Sequence, residues 1–293
     1  MNIPLGFRLT FSITIPLFIV NRGYKKKSLS LSGAWSSLIV GFLLTFTNFC
    51  FFSALLAFFV SGSIVTKLKS EAKRSIEYDF KEGGQRNWVQ VVCNGGVAVA
   101  ASVLYLLDVG CLEQPIDFAH DFNASIISIA LLGSLACCSG DTWASEIGSV
   151  YGRNPRLITT FRHVPVGTNG GVTIIGTIAS LVGGTIVGVA YYVTIVAVMA
   201  FDMTLNKYPP QWPIVVTGLL GGILGSLFDS LIGAKLQYSG YCEVNKRIVH
   251  ESSETTKHIC GKAILSNHGV NFVSSLVTAF VMPVIAYVLW KYV

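Results

Sequence analysis

The sequence predicts an all-α fold, a polytopic membrane protein of about eight transmembrane helices with three degenerate repeats of helix, cytosolic loop and helix. Three observations lead there. The chain is 52% hydrophobic and only 12% charged, about half the charged share of a soluble domain. Its apolar residues gather into runs of about 20, the length a helix needs to cross the hydrocarbon of a bilayer. Its Lys and Arg residues fall in alternate loops, as they do when one face of a membrane protein stays in the cytosol.

The first run, near 3–20, carries Arg8 and Pro16, and no small-residue cleavage site follows it. It therefore reads as a retained first helix rather than a removed signal peptide. Two crowded runs come next, near 33–48 and 49–66, with Asn48 as the one turn marker between them. Further runs lie near 88–107, 122–139, 171–200, 212–234 and 269–290. Together they make one transmembrane domain, 1–293, with loops near 21–32, 67–87, 140–170 and 235–268.

Those four loops hold 18 of the 21 Lys and Arg residues. By the positive-inside rule they are cytosolic, and both termini are non-cytosolic. An odd number of spans before Lys67 would scramble this pattern, which favours splitting the crowded pair. The loop 108–121 has Asp108, Glu113, Asp117 and Asp121 and no Lys or Arg, as suits the outer face. The net charge of +6 is thus a consequence of topology, and nucleic acid is not an expected partner. The seven cysteines show no CxxC spacing and read as small buried apolar residues, not as a disulfide or metal framework. The five histidines have no ligand spacing. Neither a Walker A loop nor a G-x-S-x-G elbow is present.

One four-residue word recurs: Asn94-Gly95-Gly96-Val97, Asn169-Gly170-Gly171-Val172 and Asn267-His268-Gly269-Val270. Each copy opens an apolar run or sits just inside one. Upstream of each is a Gly-Ser-aliphatic triplet, at Gly62, Gly133 and Gly225. Asn and Gly at a helix start aim free backbone N–H groups at an anion.

Carboxylates at span ends are the sharpest chemical signal, because a charge in hydrocarbon is costly. Asp141 and Glu146 follow the fifth span, and Asp229 lies inside the seventh. On the structural side, Asp141 is a helix cap and Asp229 pairs with a lysine such as Lys67. On the functional side, Asp141, Glu146 and Asp229 converge as catalytic ligands of Mg2+, which prefers hard oxygen donors. Five residues separate Asp141 from Glu146, so they share no helix face and are expected to meet across a helix start. Lys67, Lys73, Arg86 and Arg156 are the candidate phosphate-binding cations. Asn94, Thr168, Asn169, Asn267 and Asn271 are candidates for orienting phosphate. The spans would hold a lipid tail, and the basic loops would receive a nucleoside triphosphate.

The segments Gly140–Gly148, Val164–Val172, Gly222–Gln237 and Gly261–Asn271, with Arg22–Leu29 and Trp88–Gly96, resemble the transmembrane protein 19 family. The similarity covers nearly the whole chain. This family of polytopic membrane proteins has long been catalogued without a function, and its plant relative is a phytyl-phosphate kinase. The resemblance implies an isoprenyl-monophosphate kinase, with CTP as a candidate donor. His163 and His268 stand where Lys and Asn are expected in relatives. An imidazole at 163 would weaken any phosphate contact made there. No transit-peptide-like leader is evident, so an endomembrane of ER type is expected rather than a plastid. Two other classes stay open: a non-enzymatic transporter or lipid-moving protein, and a nucleotidyltransferase forming a CDP-lipid.

Overall fold

A computed structural model describes residues 4–68, 84–244 and 246–293. Among them are eight long helices: α1 (Leu5–Lys25), α2 (Leu31–Thr47), α3 (Phe49–Lys67), α4 (Trp88–Asp108), α5 (Phe122–Tyr151), α6 (Ile174–Phe201), α7 (Pro213–Leu236) and α8 (Asn267–Trp290). Six of these, α3 to α8, are long and apolar enough to cross a membrane. The apolar α2 has 17 residues, and α1 is the least apolar of the set. The polytopic all-α architecture is the one expected.

Local chemistry sets the helix ends. Asn48 ends α2 and caps α3, its side chain accepting from the Cys50 N–H at 2.8 Å. The marker between the crowded spans is therefore a true turn. Asn87 and Gln90 form a reciprocal capping box on α4. Ser30, Thr173 and Ser266 cap α2, α6 and α8, and Pro213 begins α7.

The two ends of the bundle differ in charge. At the acidic end Arg8 of α1 is buried and donates to both carboxylate oxygens of Glu113, at 2.7 and 2.8 Å. The same arginine donates to the Phe46 and Thr47 carbonyls, and Glu113 accepts from the Phe49 N–H. One ion pair thus clasps α1, the α2–α3 turn and the loop after α4. Glu113 and Asp117, in the acidic loop after α4, are both buried. A buried arginine needs a partner, and only the fold brings residues 105 positions apart into contact.

At the basic end, two small antiparallel sheets occupy segments that the sequence treated as loops. Strand β1 (Arg156–Leu157) pairs with β2 (Gly171–Val172). Strands β3 (Ser239–Cys242), β4 (Arg247–Val249) and β5 (Thr256–Cys260) form a second sheet with β3 in the centre.

The most enclosed helix is α5, with every residue from Leu131 to Gly140 buried. It continues to Tyr151, twelve residues past the expected end of the fifth span. Asp141 and Glu146 therefore lie inside one helix, and neither caps or flanks a helix start. Glycine permits the packing that encloses α5. A Cβ on Gly140 would stand 2.6 Å from the Gly222 Cα, and one on Gly222 2.8 Å from the Gly184 Cα. Helices α5, α6 and α7 thus approach to backbone contact through small residues, as the glycine faces of the sixth and seventh spans suggested.

The three Asn-x-Gly-Val words are not equivalent. The first lies well inside α4, the second in the strand and turn before α6, and only the third opens a helix. The second word has the strictest need for glycine: Gly170 has φ +75°, and a Cβ there would lie 2.6 Å from the Ser230 carbonyl oxygen.

Candidate functional site

At the basic end the helices surround a cavity of about 1550 Å3. The strand-and-turn segment around 155–173 and the β3–β5 sheet form its outer wall. The placement of its two central carboxylates follows from helix packing. In α5, Gly133, Cys137 and Gly140 sit against Gly221, Gly225 and Gly222 of α7 at a close crossing. Asp141 follows Cys137 by four residues, and Asp229 follows Gly225 by four. One turn beyond a shared contact, both side chains reach the same space. Both carboxylates line the cavity.

Helix α8 supplies the support for Asp229. Ser274 donates to Asp229 Oδ2 at 3.1 Å. With its amide oriented to satisfy both ends, Asn271 donates to the Asn267 carbonyl at 2.9 Å and to Asp229 Oδ2 at 3.3 Å. Its oxygen then lies 3.1 Å from Asn94 Oδ1 of α4, so the Asn94 amide must turn with it for its nitrogen to donate there. Ser274 was not foreseen, but its signal was present: Asn267, Asn271 and Ser274 are spaced i, i+4, i+7, a polar stripe on an apolar helix. Gln90, which also lines the cavity, precedes Asn94 by four in the same way.

Glu146 lines the cavity too. It lies about 7.5 Å further along α5 and about 140° around it from Asp141. Among the described residues no group of three His, Cys, Asp or Glu side chains can hold one metal ion. The expected ligand set of Asp141, Glu146 and Asp229 is therefore not formed as a triad. Glu146 lines the same cavity as Arg86.

Arg86 is held from several directions. Its backbone N–H donates to the Ser28 carbonyl, and its carbonyl accepts from Ser30. Its Nη1 donates to Ser63 at 2.9 Å, and its guanidinium lies 5.7 Å from the centre of the Phe59 ring. Burial pulls the guanidinium below its ordinary pKa, and Glu146 pushes it back up. Arginine starts so high that it remains charged. Lys67 is exposed at the rim, its Nζ donating to the Lys26 carbonyl at 2.9 Å, so it is not the partner of Asp229.

Thr168 and Asn169 line the cavity while holding its wall together. Thr168 donates to the Pro165 carbonyl at 2.8 Å. The Asn169 N–H donates to Ser239 at 3.0 Å, and its side chain donates to the Tyr238 carbonyl at 3.1 Å. Asn94, Asn267 and Asn271 line it as well. Arg156 does not. Its guanidinium turns back to the Phe161 carbonyl at 2.9 Å, because the β1–β2 pairing points it outward. Lys73 lies outside the described residues.

The donor set suits a hard cation. Mg2+ is usually bound by one or two carboxylates together with substrate phosphates and water, and Asp141 and Asp229 offer two such groups in a polar cavity with Arg86 and Lys67 nearby.

Comparison with known proteins places this architecture. Residues 14–279 match the family described as integral membrane protein DUF92. The chain is 41% identical over 280 residues to Protein PGR of Arabidopsis thaliana, a match spanning 95% of this chain and 96% of that one. It is 32% identical over 234 residues to an uncharacterized membrane protein of Methanocaldococcus jannaschii, covering 80% and 85% of the two chains. It is 27% identical over 237 residues to Protein VTE6, chloroplastic, of Arabidopsis thaliana, covering 80% and 64%. No solved structure matches the chain.

Proposed function

This chain belongs to the integral membrane protein family DUF92, and we propose that it transfers a phosphoryl group from a nucleoside triphosphate to an isoprenyl-type lipid monophosphate at the cytosolic membrane face. One observation carries this reading: a single cavity at the basic end of the bundle gathers Asp141, Asp229, Glu146, Arg86 and Lys67. Carboxylates and cations facing one space suit the handling of phosphate groups through a divalent metal. The likeness to Protein VTE6 and the resemblance to a family with a phytyl-phosphate kinase give the same direction.

In this reading Arg86 and Lys67 bind the phosphates and offset their charge. Asp141 and Asp229 would hold Mg2+, which when bound neutralises developing charge on the phosphoryl oxygens. Asn271 and Ser274 fix the rotamer of Asp229, so the carboxylate is oriented before substrate arrives. A lipid-phosphate oxygen attacks the γ-phosphorus, the bond from that phosphorus to the β-bridging oxygen breaks, and nucleoside diphosphate leaves. The attacking oxygen is already anionic, so no general base is needed. Catalysis is then positioning and charge neutralisation.

The transporter alternative drew on helices broken at glycine-rich points. Both α5 and α7 run unbroken through Gly140 and Gly225, which removes that motive.

The test uses the whole protein in lipid nanodiscs with geranylgeranyl monophosphate, Mg2+ and each nucleoside triphosphate in turn. The expected result is prenyl diphosphate with release of nucleoside diphosphate. Release of pyrophosphate with a nucleotidyl-lipid would identify a nucleotidyltransferase instead. Absence of any product with every nucleotide would overturn the enzymatic reading.

A further inference from the structure

A second cavity, of about 80 Å3, lies between α1, α2, α3 and α4. Ile19, Val40, Leu55, Phe58, Val91 and Gly95 are among its walls, and apart from Ser37 its polar residues are Arg86, Gln90 and Asn94. Those same three residues line the large polar cavity. Arg86, Gln90 and Asn94 therefore stand between the two spaces.

Helix α4 is the divider. Gln90 and Asn94, one turn apart, face both spaces, while the adjacent stripe of Val91 and Gly95 lines the apolar one alone. On α3 the apolar lining extends from Phe59 back to Phe52, about 10 Å along the helix axis. The slot thus descends from the level of Arg86 into the part of the bundle that faces hydrocarbon. An amphipathic ligand with an anionic head and one thin tail matches this sequence of surfaces.

We infer that this slot receives the first carbons of the lipid tail while the phosphate sits at Arg86, and that Gly95 controls what fits. The inference rests on the proposed lipid-phosphate substrate and adds a tail site to it. The slot holds only a short stretch of chain, so the remainder continues into the bilayer. A Cβ on Gly95 would rest 3.4 Å from Val40 Cγ1. Alanine therefore fits there, and a longer side chain fills the slot.

The probe is farnesyl monophosphate carrying a diazirine in its first isoprene unit, crosslinked to the whole protein in nanodiscs and mapped by peptide mass spectrometry. Label is expected on the α2, α3 and α4 segments that carry Val40, Leu55 and Val91. Unlabelled farnesyl monophosphate should compete it away, and inorganic phosphate should not. Gly95→Leu should reduce labelling about tenfold, the scale at which a pocket rejects added carbon. Asp229→Asn should keep the label. Label confined to α6, α7 and α8 would overturn the slot, and this mapping on the unaltered protein does not depend on any variant folding. Label in the slot with no turnover by any nucleotide would leave the slot standing and sink the kinase reading. Turnover with label elsewhere would do the reverse.

Discussion

Asp141 and Asp229 each stand four residues beyond one shared contact, where Cys137 of α5 packs against Gly225 of α7. Gly140, the neighbour of Asp141, packs on Gly222 of α7 as well, so a close crossing of two helices brings both carboxylates to one cavity. The pair is positioned by two continuous helices, which hold side chains more rigidly than loops do.

Replacing either carboxylate with its amide tests the pair directly. Asp141→Asn and Asp229→Asn keep size and shape, so thermal unfolding should change little. Turnover should fall by about 100-fold or more, the usual cost of removing a charge-stabilising group. Steady-state kinetics of diphosphate formation, alongside melting curves, would show it. Activity near that of the unaltered protein would remove the residue from the chemistry.

The glycine contact should be as important as the carboxylates it positions. A Cβ at Gly225 would collide with Cys137, lying 2.5 Å from its Sγ. Gly225→Val should therefore destabilise the bundle by about 1–3 kcal/mol, as overpacking does, and lower turnover by moving Asp229. Differential scanning fluorimetry in detergent gives the first effect. A melting temperature unchanged from the original would show that α7 approaches α5 less closely than described.

Arg86→Gln removes the half-buried cation that lines both cavities. Affinity for lipid monophosphate should weaken by about 10- to 100-fold, in line with one or two hydrogen bonds to a charged group. The effect should appear in KM more than in the intrinsic stability of the protein. An unchanged KM would place the phosphate elsewhere.

At the acidic end, breaking the Arg8–Glu113 pair should be costly. Glu113→Gln leaves the guanidinium buried without its counter-charge, a loss of about 3–5 kcal/mol. The double replacement Arg8→Met with Glu113→Leu removes both charges and should recover much of that loss. Urea or thermal unfolding of the three proteins separates the cases.

Asp117 gives a pH signature. Burial pushes its carboxyl up, but His120 and the backbone N–H groups of Ala119 and His120 outweigh this and hold it below the usual range. A depressed carboxylate stabilises the fold above its unfolded value, about 3.9, and loses that contribution as pH falls through the folded value. The melting-temperature gap between the original protein and Asp117→Asn should be full at pH 6 and close steadily below about pH 4. A gap independent of pH would show that the hydrogen bonds, not the charge, carry the effect.

The segments that the sequence could and could not place differ in the range of the forces that shape them. Asn48 was readable as a turn because its side chain bonds its own neighbour Cys50. The glycine faces of α6 and α7 were readable as packing surfaces because small residues recur at helical spacing. Arg156 was misplaced because β1 pairs with β2 across a turn whose register no local signal announced. The expected helix start at Gly140 was wrong for a related reason. Ser139, Gly140 and Asp141 resemble a cap in a linear chain, yet burial against Gly222 keeps the helix continuous to Tyr151.

By itself, then, the sequence determined the class of molecule, a polytopic bundle of membrane helices, and the residue types concentrated at its basic end. Hydrophobic run length and loop charge are summed along the chain, and both survive without knowledge of contacts. Tertiary structure alone decided that Asp141, Asp229, Glu146 and Arg86 line one cavity. It also decided that Arg8 meets Glu113, and that Arg86, Gln90 and Asn94 line both the polar cavity and an apolar slot. Those relationships depend on which helices touch and at what depth, and that is fixed by side-chain volumes meeting across residues far apart in sequence.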